Sequence, residues 1–219
     1  MMMNAYNELY LNDGIRCLAN CFDYAINDCH ISPDDFEKMF VHSGVSKNFE
    51  IGNPSIISGK SGEELAIKII KKYYPNKEIP NTHYPFDRTP EYWAGWALAQ
   101  YQWKTGKRFK DIFLRISLKE IILMYSVYHE MDISAFIETM EKKYYDKKLD
   151  TKLKTIREFR QISQSTLSKI SNVSIRSIQL YEQEVNNIDK AQAHTLYKLA
   201  RALGCQIEDL LESPERLYK

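Results

Sequence analysis

Ser163-Gln164-Ser165-Thr166-Leu167-Ser168-Lys169-Ile170-Ser171-Asn172-Val173-Ser174-Ile175-Arg176-Ser177-Ile178-Gln179-Leu180-Tyr181-Glu182 is the stretch whose reading decides the fold of the C-terminal third. Serine at 163 is a helix N-cap type, because its side-chain oxygen can accept an amide left unpaired in the first turn. Leu167 and Ile170 then recur at helical spacing and are the expected buried residues of a helix over 164–171. Asn172-Val173-Ser174 is a three-residue connection, and asparagine tolerates the left-handed backbone that so tight a turn needs. Ser174 restarts a helix over 175–182, with Ile178 and Tyr181 expected inward. The pattern predicts two short helices joined by a sharp turn.

Upstream, Lys152 to Arg160 reads as a further short helix with Leu153, Ile156 and Phe159 inward. Downstream, Lys190 to Leu203 makes a fourth helix ended by Gly204, and Ile207, Leu210 and Leu211 a short fifth. With Ser163–Ser168, Asn172–Ile178, Tyr181-Glu182, Leu199–Cys205 and Ile207–Leu211 in this order, about 60 residues resemble the XRE family, whose relatives include the lambda and 434 phage repressors. The chain departs from that pattern at Asn172, usually glycine, and at Ser168, usually alanine. The resemblance implies a helix-turn-helix whose second helix enters the DNA major groove. With Ile178 and Tyr181 inward, Ile175, Arg176, Gln179 and Leu180 fall outward or at the edge. Arginine can bridge the two acceptors of guanine, glutamine can pair with adenine, and apolar groups can touch thymine methyls. The resemblance also implies that Ser163 and Gln164 grip phosphate at a helix N-terminus, with Ser174 in the same DNA-facing set. Asn186, Asn187 and Lys190, before and at the start of the fourth helix, are expected to do likewise. The bland alternative is that Arg176 and Gln179 form only a solvated face.

Charge placement fits the DNA reading. Residues 151–203 hold nine Lys/Arg against four acids, a net +5, in a chain whose total is +1. A basic module on a mildly acidic body is the footprint of a nucleic-acid-binding domain joined to something else.

The first 148 residues also read as helices. Leu11, Ile15, Leu18, Phe22, Ala25 and Cys29 share one face. Ser32-Pro33 starts a second helix that Ser43-Gly44 stops, Val45 to Lys60 looks irregular, and Ser61 caps a helix through Tyr74. Asn76 to Thr89, with Pro80 and Pro85 and no clear period, reads as a loop. Thr89-Pro90 restarts a helix carrying Trp93, Trp96, Gln100 and Trp103 on one stripe and ending at Thr105-Gly106. Ser117 to Glu120 is a capping box, and Asp132 caps a helix with Met131 and Phe136 at hydrophobic-staple spacing. That helix runs out in 141–148, the expected linker. The fold class is therefore all-α, with a helical domain at 1–148 and a helix-turn-helix domain at 151–212.

No apolar run approaches the roughly 20 residues of a membrane helix, and the N-terminus lacks signal-peptide character, so a cytoplasmic protein is expected. Cys17, Cys21, Cys29 and Cys205 are then reduced thiols, and the first three with His30 read as buried structural residues rather than a zinc site, because Cys17 and Cys21 lie one helical turn apart within an apolar helix and not around a turn. His129-Glu130 lacks the second histidine of a zinc protease, and there is no phosphate loop or nucleophile elbow. No metal, cofactor or enzymatic activity is expected. Trp93, Trp96 and Trp103 read first as core and second as a groove for a partner protein. Tyr125 to Asp132 resembles a signature recurring in bacterial proteins that join such a helical domain to an XRE domain. Two functions follow: a transcriptional regulator, an autorepressor that binds a double-stranded operator as a homodimer, or an antitoxin-like protein whose N-terminal domain neutralises a companion toxin.

Overall fold

A computed structural model of the chain describes residues 4–82, 88–147 and 150–212. The protein is all-α, and no strand occurs among the described residues. It divides into two compact units, Met1–Lys147 and Lys148–Lys219.

The N-terminal unit is built on α1 (Leu11–Asp23) and α6 (Pro90–Thr105). The apolar row predicted from Leu11 to Cys29 does lie inward, but the helix widens to a π-turn over Tyr24–Asp28. There Cys29 N bonds Tyr24 O, five residues back. Ser32 caps α2 (Pro33–His42) by accepting Asp35 N, and Gly44 follows at φ 84°. The stretch 45–60 is not irregular as expected. It forms α3 (Val45–Glu50) and α4 (Pro54–Ile57), where Asn53 accepts Ser55 N and Pro54 sits at the first helical position. The breakers Gly52-Asn53-Pro54 mark a cap between two short helices rather than a loop. Ser61 and Glu64 form a reciprocal capping box on α5 (Gly62–Tyr73). Residues 76–82 and 88–89 form no regular element; 83–87, the rest of the expected loop, lie outside the described residues.

Thr89 caps α6, and Gly106 ends it in the left-handed conformation at φ 65°. Buried residues occur all round this helix, so it is the centre of the unit rather than an amphipathic wall. Trp93 is 7% exposed and meets Tyr125 and Phe136 edge-on at 5.9 and 5.3 Å. Trp103 donates Nε1–H to Tyr6 O at 2.8 Å, and Trp96 is partly buried against the same core. Trp93 therefore offers no surface to a partner. A second ring chain runs Phe36, Phe22, Phe40, Phe109, Phe49, each neighbour edge-on at 5.1–5.7 Å. Cys17, Cys21 and Cys29 are buried beside it, and burial pushes the Cys17 thiol up to about 12.

The remaining helices of this unit are α7 (Phe109–Phe113), α8 (Leu118–Leu123), α9 (Tyr125–Tyr128) and α10 (Ile133–Asp146). The Ser117 capping box and the Asp132 cap form as the sequence suggests, but Met131 is 52% exposed, which leaves little of a staple. The helix α10 continues through residues 141–146, where a linker was expected. Glu141 holds it by accepting Tyr101 OH at 2.6 Å and Lys107 Nζ at 2.7 Å. Lys107 also sits 4.9 Å from the Tyr144 ring centre, and Arg115 4.2 Å from it on the cation–π pattern.

The C-terminal unit contains α11 (Lys152–Phe159), α12 (Gln164–Ser171), α13 (Ile175–Glu182), a 3-10 turn (Ile188–Lys190), α14 (Ala193–Leu203) and α15 (Ile207–Leu210). Leu153, Leu167, Val173, Ile178, Ile188, Leu196, Leu199, Leu203 and Leu210 enclose its own core. Two residues expected inward are outside: Phe159 is 81% exposed and Ile170 55%. On α11 the buried face holds Leu153 and Arg157, and Phe159 falls about 200° round from Arg157. On α12 the buried pair is Leu167 and Ser171, one turn apart, which turns Ile170 to the edge.

Two outcomes are expected. A Cβ at Gly95 would lie 2.6 Å from Leu18 O and 2.8 Å from Ala19 Cα, both backbone atoms of α1. Gly95→Ala should therefore push α1 and α6 apart and cost about 1–3 kcal/mol in urea unfolding; an unchanged midpoint would mean that the close approach is not needed. Residues 151–219 expressed alone should melt cooperatively, since their core is complete; a fragment without a transition would tie its folding to the first unit.

Candidate nucleic-acid interface

The geometry of α12 and α13 is set by caps and one turn. Ser163 Oγ accepts Thr166 N at 3.0 Å, and Ser174 Oγ accepts Ser177 N at 3.0 Å. Asn172 stands between the helices at φ 51°, ψ 39°, the left-handed conformation that its residue type suggested. Ser168, where a small alanine was the expected residue, donates Oγ–H to Val173 O at 2.7 Å and so fastens the turn. Ser171 Oγ donates to Leu167 O at 2.6 Å and accepts Val173 N at 3.3 Å.

Behind the turn lies a buried ion pair that the apolar pattern did not reveal. Arg157 Nε and Nη2 donate to Glu182 Oε1 and Oε2 at 2.6 and 2.9 Å, with the two side chains 10% and 2% exposed. Arg157 Nη1 donates to Ile162 O at 2.9 Å, and Gln164 Nε2 donates to Glu182 Oε2 at 2.8 Å. The fork thus joins the end of α11, the first residue of α12 and the last of α13. Hydrogen bonding to Glu182 raises the guanidinium pKa further above its ordinary value, so Arg157 stays charged. The one sequence signal was the pairing of a basic residue on α11's apolar face with the acid closing α13, and charged residues are normally read as surface.

The sequence-derived DNA set is distributed as follows. Ile175 and Arg176 are exposed in the first turn of α13, while Gln179 and Leu180 are half-buried further along it. Among the described residues Arg176 has no hydrogen-bond or ion-pair partner. Ser163 and Ser174 are exposed, but their hydroxyls are engaged in caps, Ser163 also with Ser165 and Thr166, and Ser174 with Ser177. Gln164 is half-buried on Glu182. Asn186 and Asn187 are exposed, and Asn187 Oδ1 accepts Asp189 N, which leaves its amide hydrogens as donors. Lys190 is exposed but does not begin the fourth helix; it closes the 3-10 turn, and α14 starts at Ala193. Asn187 capping Asp189 folds that turn locally and delays the helix. Of the nine cations in this region, Arg157 is spent on Glu182, Lys154 pairs with Asp150 and Arg160 donates to Gly204 O. Arg201 lies 5.9 Å from the Tyr197 ring centre, and Lys152, Lys169, Arg176, Lys190 and Lys198 remain without a side-chain partner among the described residues.

Residues 152–215 match the family of Cro/C1-type HTH DNA-binding domains. The two helices either side of Asn172 lie within that match. The Cro/C1-type domain makes this chain a DNA-binding protein of regulator type in its C-terminal unit; residues before 152 lie outside the match. No curated protein and no solved structure matches the chain. Among the described residues no helix is long and apolar enough to cross a membrane.

Among the described residues, removing Glu182 leaves the buried Arg157 with only the longer, solvent-exposed ion-pair contact to Glu158 at 3.4 Å. Glu182→Ala should therefore lower the stability of the C-terminal unit by about 3–5 kcal/mol, and Arg157→Met with Glu182→Leu together by clearly less. Urea unfolding of the three proteins followed by circular dichroism decides this: a Glu182→Ala loss below about 1 kcal/mol would remove the fork from the account of the fold.

Proposed function

We propose that this protein is a sequence-specific transcriptional regulator that binds a double-stranded operator as a homodimer and represses its own gene. The observation that carries the reading is Arg176. It is exposed on the second helix of a Cro/C1-type helix-turn-helix and has no partner within the described residues. A guanidinium so presented suits the two major-groove acceptors of guanine, and Gln179 one turn on suits adenine. Lys190, in the turn after α13, suits a phosphate. Five unpaired cations per unit give few phosphate contacts, and a two-fold dimer doubles them while reading two half-sites about one DNA turn apart.

A second reading gives the N-terminal unit a companion protein, as in an antitoxin. Leu123, Val127 and Met131 favour it: they recur every four residues and are 67, 54 and 52% exposed. Co-expression with the products of adjacent genes, followed by size-exclusion chromatography of the wild type and of Val127→Glu, separates the two readings. A complex lost in the variant supports the companion.

For DNA, Arg176→Ala and Gln179→Ala should each weaken operator binding by about 1–3 kcal/mol with little effect on random DNA. Lys190→Ala should weaken both alike and flatten the salt slope by about one per protomer. Titration against the DNA upstream of its own gene and a scrambled duplex tests this. Equal wild-type affinity for both, or specificity surviving the double variant Arg176→Ala, Gln179→Ala, would sink the assignment of α13 as reader.

A further inference from the structure

Ile175 is the first residue of α13 and is 43% exposed. The inner side of this helix is already filled by Ile178, with Val173 of the turn in the same core, so the exposed part of Ile175 contributes little to the fold. A β-branched residue is also a poor choice for helix propensity alone. Phe159, Ile170, Val185 and Tyr197 are more exposed in this unit, but Ile175 is the one on the helix read here as the DNA reader, immediately before the unpartnered Arg176. Its neighbour one turn along is Gln179, about 6 Å further down the axis. Ile175 with Gln179, and Arg176 with half-buried Leu180, therefore make two rows, each with one apolar and one hydrogen-bonding side chain.

The edges of the bases in the major groove carry donors, acceptors and one kind of apolar group, the 5-methyl of thymine. An isoleucine pressed onto a donor or acceptor strips it of water and returns no hydrogen bond, which is unfavourable. Against a methyl it buries apolar surface on both sides. We propose that Ile175 is a specificity-determining residue that selects thymine through its 5-methyl at one position of each half-site, beside the base pair read by Arg176. This rests on the DNA reading given above and names what one position of that site recognises.

The test uses the full chain and a duplex that it selects from a random library. Each thymine of the selected site is replaced in turn by deoxyuridine, which deletes the methyl and keeps the pairing. One thymine per half-site should lose about fourfold in affinity for wild type, the worth of one buried methyl group. Ile175→Ala should bind the thymine and uracil versions of that position equally while still losing affinity at any other sensitive thymine. Ile175→Val, which keeps a branched side chain, should retain the discrimination. If a site is selected and no thymine shows a methyl effect that Ile175→Ala abolishes, the inference is overturned and the DNA reading stands. If the full chain enriches no sequence above the random pool, the sequence-specific reading falls and takes this one with it.

Discussion

Everything exposed on α12 and α13 is held in place from behind by a charge that cannot reach water. Arg157 and Glu182 bind each other in a two-pronged fork, with further bonds from Arg157 to Ile162 O and Glu158 and from Gln164 to Glu182. A buried ion pair is not in itself a source of stability, because removing two ions from water costs several kcal/mol each. Its geometry is demanding, and that is its use here. The guanidinium plane can meet both carboxylate oxygens only if the end of α11 and the end of α13 keep one separation and one rotation. The third contact, Gln164, brings the start of α12 into the same register. Helices of eight residues have little capacity to fix their mutual angles through apolar packing alone, and this fork supplies the constraint.

The hydroxyls around the turn work in the same direction. Ser163, Ser168, Ser171 and Ser174 each satisfy a backbone group that the tight turn or a helix end would otherwise leave unpaired. Two of these serines were expected to face DNA. In the free protein their oxygens already accept amides, so the polar character of this stretch is in large part a requirement of the turn. Unengaged at the surface among the described residues are Arg176, Asn186, the amide hydrogens of Asn187 and several lysines.

Much of this was legible in the residues. Caps at Ser32, Ser61, Thr89, Ser117, Asp132, Ser163 and Ser174 form where they were read, because an N-cap is a local interaction between a side chain and the next few amides. Asn172 was legible for the same reason. The errors came where the decision is not local. Phe159 and Ile170 have the right residue type for a core, but their angular position is set by Arg157 and Ser171 taking the inward places. No periodicity rule ranks an arginine above a phenylalanine for burial. Residues 45–60 were misread because Gly52, Asn53 and Pro54 are equally good as a loop and as the end and start of two helices. The family match reaches only the second unit, and apart from the resemblance at Tyr125 to Asp132 the first is legible only through its patterning.

The stripe of α6 has a consequence for how the molecule can be observed. All three tryptophans, Trp93, Trp96 and Trp103, belong to the N-terminal unit, and the C-terminal unit contains none. Trp93 lies among aromatic rings and Trp103 is hydrogen-bonded to Tyr6 O, so their emission reports the packing around α6. The indole signal is therefore a built-in, one-sided reporter. Any ligand that binds only the helix-turn-helix leaves it silent unless binding there changes the packing of the other unit. Emission recorded during a titration of the C-terminal unit's ligand thus measures directly whether energy passes between the two halves of the chain.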